Sequence, residues 1–153
     1  MATVDEVHGY IRQFISGVGI DPNTTFNDQS KAYYLTKGSA NIEVFVSAHP
    51  QPNGSTRNFL RVFSPIMDVP NESREYFYRR LLELNDASLG VKFSIMPGSQ
   101  KVYATFERDI EGIDAAETAT CISDLGLWSD YLDDVLKNEF PSPAGGGGAA
   151  PKG

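Results

Sequence analysis

The segment REYFYRRLLELNDASLGVKFSI, residues 74–95, decides the fold. Its first half repeats apolar residues at helical spacing, with Phe77, Leu81 and Leu84 on one stripe and Arg74, Arg79 and Arg80 partly off it. Its second half alternates, with Val91, Phe93 and Ile95 on one face of a strand. Asn71 offers a cap for this helix near Pro70, Glu72 and Glu75 suit the positive end of its dipole, and Asn85-Asp86 frays its far end.

Upstream, Thr3 and Glu6 form a capping-box pattern. Val4, Val7, Ile11, Phe14, Ile15 and Val18 then make an apolar helical stripe, stopped by Gly17 and Gly19 before a turn at Asp21-Pro22-Asn23. Three strands are expected next, at 32–37, 41–48 and 58–64. Lys37-Gly38-Ser39-Ala40 links the first pair and HPQPNGSTR the second, while Pro65 should end regular pairing or confine it to an edge. Downstream of the opening segment, strands at 91–96 and 101–108 flank the turn Pro97-Gly98-Ser99-Gln100. Asp114 opens a last helix striped by Ile122, Leu125, Trp128, Leu132, Val135 and Leu136. Gly126 inside it costs about 1 kcal/mol relative to alanine. The order is helix, three strands, helix, two strands, helix. Segregated strands with short links imply an α+β fold, a mostly antiparallel sheet packed with helices. Residues 1–140 form this domain, and the Gly/Ala/Pro-rich residues 141–153 read as a flexible tail.

Composition excludes several function classes. A chain of 153 residues with 41 % hydrophobic and 22 % charged residues suits one globular domain. The formal charge of −7 opposes nucleic-acid binding, which rests on lysine and arginine. No stretch reaches the roughly 20 apolar residues of a membrane span, and the N-terminus carries acids where a signal peptide needs basic residues. Cys121 is the only cysteine, which fits a reducing compartment. A cytoplasmic protein with no membrane partner is expected.

The chemistry-bearing residues point away from catalysis. His8 lies beside the first helix's apolar stripe and reads as structural, His49 opens a loop and reads as solvated, and Cys121 reads as a small packed thiol. Asp109, Glu111 and Asp114 lack the spacing of a calcium loop, and Asp130, Asp133 and Asp134 read as a solvated helix face. No GxGxxG or P-loop pattern occurs. The expectation is therefore no enzyme, no metal and no cofactor. What stands out is a surplus of rings. Phe45, Phe59, Phe63 and Tyr103 fall on the strand faces opposite the apolar ones, and Tyr76, Tyr78 and Tyr131 on helix flanks. Contiguous exposed apolar area usually marks a partner site.

The stretches AYYLTKGSANIEVFVSA, FLRVFSPIMDVP, YFYRRLLELNDASLGVKFSI and VYATFERDIEGIDAAE, with the closing YLDDVLKNEF, resemble the YbjN-like family over residues 3–140. These are bacterial proteins described as sensory-transduction regulators, related in fold to the type III secretion chaperones. The resemblance implies a compact α+β domain, commonly dimeric, that binds proteins. The expected function is a chaperone-like or regulatory adaptor acting as a homodimer on a protein client. Its interface residues would be Tyr76, Phe77 and Arg80, and its client would lie on Phe45, Phe59, Phe63 and Tyr103. The alternative is a small-molecule or enzymatic module with a pocket between sheet and helices, in which Asp109, Glu111 and His8 would act.

Overall fold

Thr3 starts the first helix, α1 (Val4–Gly17), as its spacing requires. Its hydroxyl accepts the Glu6 amide at 3.2 Å, while the Glu6 carboxylate accepts the Thr3 amide at 2.8 Å. The computed structural model describes residues 2–141; the expected tail, apart from Pro141, lies outside them. After α1, Asp21 caps a single helical turn, α2 (Pro22–Thr25), where only a turn was expected, and β1 (Phe26–Asn27) follows. The other elements are β2 (Ala32–Lys37), β3 (Ala40–Pro50), β4 (Thr56–Asp68), α3 (Arg74–Ala87), β5 (Lys92–Ile95), β6 (Lys101–Asp109) and α4 (Ala115–Glu139). Among the described residues the six strands form one sheet in the order β1-β2-β3-β4-β6-β5, every neighbouring pair antiparallel. This is the α+β arrangement read from the sequence.

Two boundaries differ from expectation. Pro65 does not end β4. Pairing to β3 stops at Phe63, but pairing to β6 runs on to Asp68 with a register shift between Pro65 and Met67. Proline lacks only its own N–H, so it interrupts one ladder and leaves the other. α3 starts at Arg74 rather than beside Asn71, with Ser73 at the cap in the left-handed region (φ 57°) and making no side-chain cap bond. The reason lies upstream: Val69 is buried and its amide donates to Gln100 O at 2.7 Å, so the chain stays tied to the sheet past the proline.

One sheet face carries the core. Ile42 and Val44 of β3, Leu60 and Val62 of β4, and Val102 and Ala104 of β6 pack with Val7, Ile11 and Ile15 of α1 and with Ile122, Leu125, Leu132 and Leu136 of α4. Gly126 explains its own place in α4, because a Cβ there would lie 3.2 Å from Ile42 Cδ1. An alanine there would require the Ile42 and Lys37 side chains to give by a few tenths of an ångström.

The Leu-Asn pair of the opening segment has a structural task. Leu84 packs against the core, and Asn85 reaches the edge strand β5. Its Oδ1 accepts the Phe93 amide at 2.7 Å and its Nδ2 donates to the Phe93 carbonyl at 3.3 Å. Lys92 Nζ returns to the carbonyls of Asn85 and Ser88 at 2.6 and 2.7 Å. Helix and strand are thereby stitched across their short turn. Asn85→Ala leaves a part-buried amide and carbonyl unpaired and is expected to cost about 1–3 kcal/mol in urea unfolding; an unchanged midpoint would show the stitch to be dispensable.

Candidate functional site: an uncovered aromatic sheet face

Alternation along β3, β4 and β6 sends every second side chain away from the core. Register then decides which of these meet. Phe45 stands opposite Arg61, Arg61 opposite Glu107, Glu43 opposite Phe63, and Phe63 opposite Thr105. The Phe45 and Phe63 rings meet edge-to-face at 5.4 Å, and Tyr103 lies 6.1 Å from Phe63. Arg61 spans the pair, its guanidinium 4.6 Å from the Phe63 centroid and 5.6 Å from that of Phe45. Its Nε donates to Glu107 at 2.6 Å. Beside them His49 meets Phe59 edge-to-face at 5.8 Å, Arg57 lies over the same ring, and Arg57 pairs with Asp109.

Phe45, Phe59, Phe63 and Tyr103 are half-buried, yet they belong neither to the core nor to the residues packed against it. Their partial burial comes from one another and from the arginines between them. Each cation–π contact of this kind contributes about 0.5–1 kcal/mol at an exposed site. The result is a pre-ordered ring surface without a helix over it among the described residues.

His49 was expected to be a solvated loop residue. It lies instead within β3, half-buried, with Nε2 2.9 Å from Ser47 Oγ and 3.4 Å from an Arg61 nitrogen. The loop begins later because β3 and β4 pair as far as Pro50 and Thr56.

The helix residues divide. Tyr76 is 57 % exposed and its ring lies tilted against Phe140 at 5.6 Å. Phe77 is fully buried, 4.8 Å from the Phe140 ring, so it is withdrawn from the partner-facing set and belongs to the core. Arg80 grips Glu139 in a two-pronged pair at 2.9 Å, which fastens α3 to the end of α4 and holds the Glu139 carboxyl below the usual carboxylate range. Sequence reading missed Leu82 and Leu89, which are 69 % and 87 % exposed. The signal for Leu82 was present: it falls outside the Phe77/Leu81/Leu84 stripe, among the charges of α3.

A groove of about 570 Å³ adjoins the rings, lined by Tyr34, Asn41, Glu43, Pro65 and Tyr103 from the sheet and by Ile20 and Thr24 beyond its edge. Burial raises the Glu43 carboxyl above its ordinary range. A smaller cavity of about 250 Å³ between sheet and α4 is lined by Ser39, Ser64, Lys101, Ser129, Asp133 and Lys137. His8, Asp109 and Glu111 line neither of them. Asp109 is committed to Arg57, and Glu111 is exposed. Among the described residues no group of three or more His, Cys, Asp and Glu is placed to hold a metal ion. Cys121 is buried within the core, and burial pushes its thiol up to about 11. No helix among the described residues is long and apolar enough to cross a membrane.

No protein-family model matches the chain, and no curated protein matches it significantly. Solved structures do. ExsC in its complex with ExsE superposes with a TM-score of 0.64 at 13 % identity, over 89 % of this chain and 97 % of that one. The Yersinia pestis type III secretion chaperone SycH, bound to a stable fragment of YscM2, gives 0.53 at 13 % identity, over 82 % and 98 %. YbjN from E. coli, a candidate transcription regulator, gives 0.54 at 13 % identity, over 86 % and 91 %. The fold is that of the type III secretion chaperones, and YbjN shares it.

His8 supplies a pH test. Its Nδ1 lies 3.1 Å from the Tyr33 hydroxyl, its ring meets Phe26 and Tyr33, and burial lowers its pKa from 6.5. The unfolded chain then binds the proton more readily, so stability is full above the unfolded pKa and is lost as pH falls toward the folded one. Urea midpoints at about pH 7 and about pH 5 should fall further for the wild type than for His8→Gln; equal falls would remove His8 as the cause.

Proposed function

We propose that the chain is a non-enzymatic protein-binding module, a chaperone-like or regulatory adaptor that works as a homodimer in the bacterial cytoplasm. The observation that carries this reading is the Phe45–Phe63–Tyr103 ring cluster, ordered by Arg61 on a sheet face that no helix among the described residues covers. Pre-ordered rings bind at low entropic cost, and a few of them supply most of the affinity of an interface. Two fold neighbours, ExsC with ExsE and SycH with YscM2, are complexes with protein partners, which supports the same role here. The paired state of Arg57 and Arg61 and the charge of −7 speak against nucleic acid as the partner.

For the homodimer, α3 and the segment after it offer Tyr76, Tyr78, Leu82 and Leu89, all exposed. An exposed leucine, Leu82, on a helix otherwise laced with charge, with Leu89 exposed just beyond its end, suits a second copy of the chain. Arg80 then acts by holding α3 at its angle rather than by touching the partner.

A second reading keeps the cavity under α4 as a small-ligand site. The Ser64 and Ser129 hydroxyls that border it are buried without a protein hydrogen-bond partner, and Lys101 and Lys137 stand at its rim. It does not involve the aromatic face.

The client face is tested by Phe45→Ser/Phe63→Ser. It removes two cation–π contacts and the ring pairs, so its unfolding free energy is expected to fall by about 2–3 kcal/mol while the chain stays folded. Its affinity for a client captured by the wild type from native cytoplasm is expected to fall by about 2 kcal/mol, roughly thirtyfold. An unchanged client affinity would move the site off this face. Light scattering should give a dimer for the wild type at high micromolar concentration and a monomer for Leu82→Glu; a wild-type monomer throughout would remove the homodimer.

A further inference from the structure

We infer that Glu43 and the groove around it form a receptor for a lysine or arginine side chain of a polypeptide lying on the aromatic face. The inference deepens the protein-binding reading and rests on it.

Position comes first. Glu43 stands on the outer face of β3, opposite Tyr34 on β2 and Phe63 on β4. Residues directly opposite on one face have their Cβ atoms about 4.5–5.5 Å apart, so the carboxylate is flanked by two rings. Tyr103 and Pro65, themselves paired across β4 and β6, border the same groove. Phe63 lies 6.1 Å from Tyr103, so groove and ring cluster form one continuous surface. A segment seated on Phe45 and Phe63 therefore reaches Glu43 without leaving the sheet.

Charge comes next. Arg57 pairs with Asp109 and Arg61 with Glu107, so the arginines of the ring face are already committed. Among the described residues no cation pairs with Glu43. A carboxylate bordered by tyrosine and phenylalanine rings suits a cation on a long apolar stem. The ammonium or guanidinium meets the carboxylate, the rings add cation–π attraction, and the methylenes lie along apolar surface. Burial raises the Glu43 pKa in the free protein, meaning that its charge stands there at a cost that an arriving cation relieves. The chain's charge of −7 draws basic segments toward the site.

The test uses the full chain and short extended peptides with alternate leucines and one central lysine, together with glutamine and glutamate versions, read by fluorescence anisotropy. The wild type is expected to bind the lysine peptide about fivefold tighter than the glutamine one, the upper end for a partly exposed ion pair. Glu43→Gln should bind both alike, and Glu43→Lys should prefer the glutamate peptide. Glu43→Gln should also unfold no earlier than the wild type at neutral pH, since it removes a charge that burial disfavours. If the wild type binds all three peptides equally, or Glu43→Gln keeps the lysine preference, the cation receptor is wrong while the aromatic face stands. If the wild type binds none of them while Phe45→Ser/Phe63→Ser still loses the captured client, the receptor alone fails. If that variant also keeps its client, both readings fall.

Discussion

One-sided packing is the constraint on which everything else depends. The 25-residue α4 lies across the inner face of the sheet, with α1 beside it, and their apolar side chains close the core against β3, β4 and β6. Gly126 leaves the space beside Ile42 and Lys37 that a Cβ would crowd. With α1 and α4 on this side, alternate residues of three neighbouring strands must find their stability elsewhere. A sheet of this kind usually turns a polar face to water. Here that face carries rings.

Those rings are neither exposed singly nor hidden. Phe45, Phe63 and Tyr103 shield one another, and Arg61 lies over two of them while Glu107 holds its charged end. Cross-strand register makes the cluster possible, because Arg61 stands directly between Phe45 and Glu107. The rings thereby stay partly in water, tilted against one another instead of lying flat. The fold also separates two roles that the linear sequence mixes: fastening α3 to α4 through Arg80, Glu139 and Phe77, and displaying surface through Tyr76 and Leu82.

Period alone made most of the fold legible. Strict alternation in NIEVFVSA and VYATFERD placed Phe45 and Tyr103 opposite the core side, where they are found. Helical spacing separated Phe77 and Leu81 from their charged neighbours. Period does not report what covers a face or where a ladder stops. His49 looked like loop because Pro50 follows it, yet the β3–β4 ladder runs through both. Asn71 looked like a cap because its side chain suits one, but Val69 holds the chain to the sheet and delays the helix. Phe77 was assigned a partner when tertiary contacts with Phe140 had already claimed it. Glu43 drew no notice, since an acid on a strand's polar face is ordinary until its neighbours on both sides prove to be rings.

The two rims of the sheet carry a last consequence. At one rim β1 is two residues long; at the other the amide side chain of Asn85 occupies the outward N–H and C=O of Phe93. The first rim is covered only in part, since β1 pairs with Ala32 and Tyr33 and leaves Tyr34–Lys37 of β2 without a strand partner on that side, whereas Asn85 blunts the second. A polypeptide lying on the ring face, as proposed, would be read there through side chains, because β3, β4 and β6 are each paired on both sides. Such reading tolerates sliding by a residue pair and rewards spacing of chemical groups over any fixed sequence.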